Sequence, residues 1–203
     1  MGGLLRHKGR ILVGMEEPIS ALDIAAAIIE EHPGLTQMQV HKLLYLVQAA
    51  NLAWFGEPAF TQRIEAWQKG PVVRDVAGHY MEFDWSRIYE PVSGDSDELS
   101  SRTRWVVQRI VSEFGDTEGP ELADLVKQIG SPWRQARGDL PPEAKSGDEI
   151  SVDSIEAFHR VHGVVPTAPS EQELALVDRF VEGDKEALAD LFEIATGTRP
   201  AVS

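Results

Sequence analysis

Residues 35–60 read LTQMQVHKLLYLVQAANLAWFGEPAF. Thr36 is a helix N-cap residue and Gln39 stands three places on, the spacing of a capping box. Leu35 and Val40 flank the cap at the positions of a hydrophobic staple. The helix that follows is apolar on more than one side, which predicts a central, buried position. Gly56 ends it, since glycine accepts the left-handed conformation of a helix C-cap.

Upstream, residues 20–29 carry Leu22, Ala25, Ile28 and Ile29 at helical spacing, closed by His32-Pro33-Gly34. Downstream the period changes to two. Phe60, Ile64 and Ala66 alternate with Thr61, Arg63, Glu65 and Trp67, which predicts a strand over 60–67. A lone strand needs a partner, and the candidates are residues 87–92 and 150–152. Pro71 fits the first turn of a helix running through Val72, Val73, Val76 and Tyr80. Further helices are expected over 98–114 and 120–130, with a short helical turn at 131–137. Residues 138–147 form a polar loop. Asp153 and Glu156 resemble a capping box opening another helix.

After Gly163 the chain reads as a linker, then as two amphipathic, acidic segments with Ser170 and Glu173 as a cap. This tail either docks on the core or is an arm that folds on a partner. The expected organisation is an N-terminal flexible extension over 1–18, a compact domain over 19–163 and an acidic helical extension over 164–203. Met15 is a second candidate start. The expected fold class is mainly α, with a small two- to three-stranded β-sheet.

Composition limits the chemistry. The 203 residues include 19 Lys and Arg against 33 Asp and Glu, a formal net charge of −14. Phosphate backbones need a basic footprint, so direct nucleic-acid binding and anionic membranes are not expected partners. The acidity suits a basic protein partner drawn in by charge, or solubility alone, and composition does not separate the two. There is no cysteine, which excludes disulfides, thiolate metal sites and cysteine nucleophiles and fits a reducing, cytoplasmic setting. The apolar runs near 24–29 and 43–47 fall far short of the about 20 residues of a membrane span.

Enzyme templates fail: there is no GxGxxG after a strand, no P-loop, no GxSxG and no HExxH. Glu156, His159 and His162 share a helical face, but no second ligand set accompanies them, so they read as polar positions of an amphipathic helix. Asp95 and Asp97 read as a turn before a helix. No catalytic residue, metal or cofactor is expected. The aromatic residues Tyr45, Trp54, Trp67, Tyr80, Trp85, Trp105 and Trp133 read mostly as core, with a minority free to form a binding anchor.

Lys42-Leu-Leu-Tyr45, Gly56-Glu-Pro58-Ala-Phe60 and Glu65-Ala-Trp67-Gln-Lys-Gly70-Pro71-Val-Val73, followed by Pro132-Trp133-Arg-Gln-Ala136, together resemble the Panacea domain. That family includes SocA-like antitoxins and GepA-like phage-associated proteins. The resemblance covers about residues 19–162 and implies a mostly helical domain with a small sheet. It also implies a bacterial antitoxin that neutralises a cognate protein toxin by direct binding. The SocA-like branch implies an alternative, a proteolytic adaptor that hands the toxin to a ClpXP-type protease. Some members add a DNA-binding module, and no basic helix-turn-helix is seen here. An acidic surface suits toxins whose own sites are basic, such as those that bind RNA, nucleotides or phosphates.

Six residues are candidates for partner binding: Lys42, Arg63, Glu65, Trp67, Gln68 and Arg74. Lys42 and Glu65 are charges in apolar surroundings, and read either as a partly buried ion pair locking helix to strand or as contacts. Trp67 alternates to the side opposite Ile64 and faces a helix or solvent.

Overall fold

The computed structural model describes residues 19–162 and 164–196. The expected N-terminal extension over 1–18, with Met15, lies outside the described residues.

Helix α2 (Gln37–Phe55) is the axis of the molecule. Its start is the capping box read from the sequence: Thr36 Oγ1 accepts the N–H of Gln39, and the Gln39 side chain accepts the N–H of Thr36. Leu35 and Val40 are both buried beside that cap. Gly56, at φ 73°, closes the helix with its N–H on the carbonyl of Leu52. Residues 39–52 are buried on every side, because α2 is surrounded. Helix α1 (Ala21–Glu31) lies on one flank, and β3 (Gly70–Val73) lies on another. Helices α4 (Ser101–Phe114), α5 (Gly119–Val126) and α7 (Val152–His162) cover the remaining sides. Each fully buried Leu or Ile in this wrapping contributes about 2 kcal/mol of transfer free energy.

Among the described residues the strands form two separate antiparallel pairs. Strand β1 (Leu35–Thr36) pairs with β4 (Arg87–Ile88), and β2 (Ile64–Trp67) pairs with β3 as a hairpin turning at Gln68-Lys69. Two expectations are corrected. Pro71 does not open a helix. It lies in β3 opposite Ala66, and α3 (Arg74–Tyr80) begins only after the β-branched Val72 and Val73. The second correction concerns the expected strand over 60–67, which begins at Ile64. Upstream, the Gln48 side chain takes the backbone groups instead, accepting from the N–H of Ala59 and Phe60 and donating to the Phe60 carbonyl. The 150 segment does pair with β2, through Ala66 N–H on Asp148 and Ile150 N–H on Ile64, whereas residues 87–88 serve β1.

Helix α6 (Pro132–Arg137) clamps the back of the hairpin: Trp133 Nε1 donates to the Trp67 carbonyl at 2.7 Å and Arg137 Nη1 to the Ala66 carbonyl at 3.1 Å. Helix α7 starts earlier than the Asp153–Glu156 pattern suggests, since the Ser151 hydroxyl accepts the N–H of Ser154. In the tail, α8 (Glu171–Val181) has the expected Ser170–Glu173 capping box and pairs with α9 (Lys185–Thr196). Their small apolar cluster of Leu176, Val177, Ala187 and Leu191 rests on Trp105 of α4. Of the two readings of the tail, the docked one describes this structure.

Candidate functional site

The start of α2, the β2–β3 hairpin and the loops at 84–85 and 145–147 enclose a groove of about 700 Å³. Its floor is His41 and Lys42, consecutive residues near the start of a helix otherwise sealed in the core. Lys42 is 1% exposed and its Nζ donates to the Pro71 carbonyl at 3.0 Å. That reach depends on Gly70. A Cβ at Gly70 would stand 2.7 Å from Lys42 Cε, and the φ of +114° is one that side-chain-bearing residues rarely adopt. Burial, with Lys127 and Lys69 adding repulsion, pulls the Lys42 amine down to a pKa of about 7. His41 is 3% exposed, and neither ring nitrogen has a hydrogen-bond partner. Burial first, and the Lys42 charge second, push its pKa to about 3, so the imidazole is neutral.

The wall is built on β2. Strand alternation sends Ile64 and Ala66 into the core and Glu65 and Trp67 to the other face. Glu65 is buried but fully paired. Arg74 donates to it from Nε and Nη2, both at 2.8 Å, and Trp67 Nε1 donates at 2.7 Å. The Arg74 hydrogen bond holds the Glu65 carboxyl below its ordinary range, against the opposing effect of burial. The Arg74 guanidinium also lies 5.8 Å from the centre of the Trp67 ring. Arg63 leans on Glu149 at 3.5 Å and donates to the Gly147 carbonyl. The opposite rim is Trp85, 62% exposed, with Lys69 Nζ 4.2 Å from its ring centre. Asp84, at φ 43°, turns the chain into it.

Of the six sequence candidates, Lys42, Trp67, Gln68 and Arg74 line the groove, while the buried Glu65 and the exposed Arg63 lie outside its lining. Lys42 and Glu65 do not form the ion pair that was one reading of them. Arg74, carried on the end of β3 into α3, takes the carboxylate, and the hairpin carbonyl takes the amine. Sequence reasoning missed His41, Lys69 and Lys145, and it held Trp85 only as one of seven aromatic residues of which a minority could form an anchor. A polar residue inside an unbroken buried helix was a usable signal for His41. The loop residues gave none, because only the fold brings positions 85 and 145 to the hairpin.

The Glu156, His159 and His162 face does not converge on a site. His159 Nε2 is 3.0 Å from the Tyr45 hydroxyl, Glu156 pairs with Arg160 at 2.8 Å and His162 stacks on Phe158. Burial, then His162, lowers the His159 pKa to about 4. Among the described residues no group of three or more His, Asp or Glu is placed to hold a metal ion, and no helix is long and apolar enough to cross a membrane. Asp95 caps a single 3-10 turn at Ser96–Glu98.

Residues 40–134 match the family model described as antitoxin SocA-like, Panacea domain. No curated protein matches the chain, and no solved structure does.

Proposed function

Starting from the SocA-like Panacea domain carried at residues 40–134, we propose that this chain is an antitoxin that neutralises a cognate protein toxin by direct binding. The match itself supports a role of the toxin–antitoxin type. The observation that carries the finer reading is the hairpin rim. Trp67 and Trp85 stand at the groove with cations fixed against their rings, and Trp, Tyr and Arg dominate binding hot spots. A rim in which Arg74 and Trp67 are already locked to Glu65 loses little side-chain freedom on binding. Most of the groove, from His41 to Trp85, lies inside the matched span. The proposed contact residues are Arg63, Trp67, Gln68 and Arg74, with Lys42 and Glu65 holding them in place. Neutralisation of this kind requires no chemistry from the antitoxin.

The adaptor reading, delivery of the toxin to a ClpXP-type protease, rests on the SocA-like description of the same family. The two differ in the fate of the toxin. The test is capture with the tagged chain, then expression of each captured protein alone and with this chain, in hosts with and without the protease. A captured protein that stops growth alone and is rescued in both hosts supports sequestration. Rescue confined to the protease-bearing host moves the function to the adaptor, and no toxic captured protein refutes both.

A further inference from the structure

The floor of the groove has features that a protein-contact rim does not need. A buried imidazole with two unpartnered nitrogens leaves hydrogen-bonding capacity that folded proteins rarely waste. Lys42 has one protein partner for three N–H groups. Both residues line the same cavity, whose volume of about 700 Å³ falls in the range that encloses a nucleotide-sized molecule.

Charge in the groove runs against the rest of the chain. Acids outnumber bases 33 to 19 in the sequence, yet Lys42, Lys69 and Lys145 line the groove against the carboxylate of Asp84 alone. Arg74, the fourth cation, is committed to Glu65. The two exposed amines, Lys69 and Lys145, suit a group of more than one negative charge, a phosphate rather than a carboxylate. The half-buried Trp67 and the exposed Trp85 bring flat rings to the groove, on which a base can stack by displacing the cation now beside each, as bases stack on aromatic side chains.

We propose that the groove floored by His41 and Lys42 is a binding site for a nucleoside phosphate, its base against Trp67 or Trp85 and its phosphates on the exposed Lys69 and Lys145. The site goes beyond the antitoxin reading and is tested without a toxin. His41 supplies a neutral ring nitrogen, donor or acceptor according to tautomer, for the ribose or the base edge. Ser146 and Gly147 edge the same pocket.

The experiment is calorimetric titration of the full chain with ATP, AMP, adenosine and inorganic pyrophosphate, repeated on a Lys69→Ala/Lys145→Ala double variant and on Trp85→Ala. All three substituted side chains are exposed, so circular dichroism should be unchanged. The expected result is one saturable site for ATP or AMP with Kd at or below about 100 µM. Adenosine and pyrophosphate alone should bind at least about tenfold more weakly, and both variants should lose about tenfold in nucleotide affinity. Equal binding of pyrophosphate and nucleotide would remove the base from the site. No saturable binding at millimolar nucleotide, or binding untouched in the lysine double variant, would overturn the proposal. An acidic segment of a protein partner as the true occupant would give that same negative result.

Discussion

Lys42→Met separates the two things Lys42 does. As a base, its amine has a pKa of about 7 in the folded chain against an ordinary 10.5. Between those values the unfolded chain holds a proton that the folded chain has released, so wild-type stability rises with pH across that window. The slope is at most about 1.4 kcal/mol per pH unit, which sums to about 5 kcal/mol. As a donor, the amine satisfies the Pro71 carbonyl at 3.0 Å, and removing a partner from a buried acceptor costs about 1–3 kcal/mol. Methionine fills the same channel beneath Gly70 without a charge. Near pH 7 the proton penalty exceeds the lost hydrogen bond, so the variant should be the more stable by about 2–4 kcal/mol. Near pH 10.5 the penalty is gone, and the variant should be the less stable by about 1–3 kcal/mol. Urea unfolding of both proteins at intervals from pH 6.5 to 10.5 gives the difference directly. The two curves should cross. Parallel curves would show that the Lys42 amine keeps its ordinary affinity for protons and is not sealed in the core.

The acid side belongs to the histidines: His41 at about 3 and His159 at about 4 stay neutral in the fold while the unfolded chain takes up protons from pH 6.5 downward. Stability should therefore fall as pH drops from 6.5 toward 4, and His41→Phe should flatten that fall by up to about 1.4 kcal/mol per pH unit, read from urea midpoints. Gly70→Ala forces a side chain into a φ of +114° and onto Lys42 Cε, so thermal unfolding should show a loss of about 1–3 kcal/mol. Thr36→Ala removes the capping hydroxyl of the central helix and should cost about 1 kcal/mol in the same assay.

The central helix was readable because its signals are local. Thr36, Gln39 and Gly56 act within a few residues of the backbone groups they satisfy. The same holds for the Ser170–Glu173 cap. The hairpin was misread where a local rule had two meanings. Proline suits the first turn of a helix, but it also suits an edge strand, where its missing N–H faces no partner. The valines at 72 and 73 favoured the strand. Gln48 binding the backbone at residues 59–60 ended the strand early, and no local pattern announces a side chain reaching in from another helix. The site divides in the same way. Trp67 opposite Ile64 follows from alternation. The pairing of Glu65 with Arg74 instead of Lys42 depends on where the hairpin returns, and the approach of Lys145 and Trp85 depends on the whole fold.

Direct neutralisation through the hairpin rim is tested most sharply by binding and rescue in one pair of proteins. Trp67→Ala and Gln68→Ala alter the rim, and Trp105→Ala alters the distant contact between α4 and the tail. The toxin captured by the wild-type chain is titrated against each variant, and growth rescue is scored in parallel. The account predicts at least about a tenfold loss of affinity and loss of rescue for Trp67→Ala, a smaller loss for Gln68→Ala, and near wild-type behaviour for Trp105→Ala. Full affinity and rescue with Trp67→Ala, or loss confined to Trp105→Ala, would place the toxin elsewhere and contradict it.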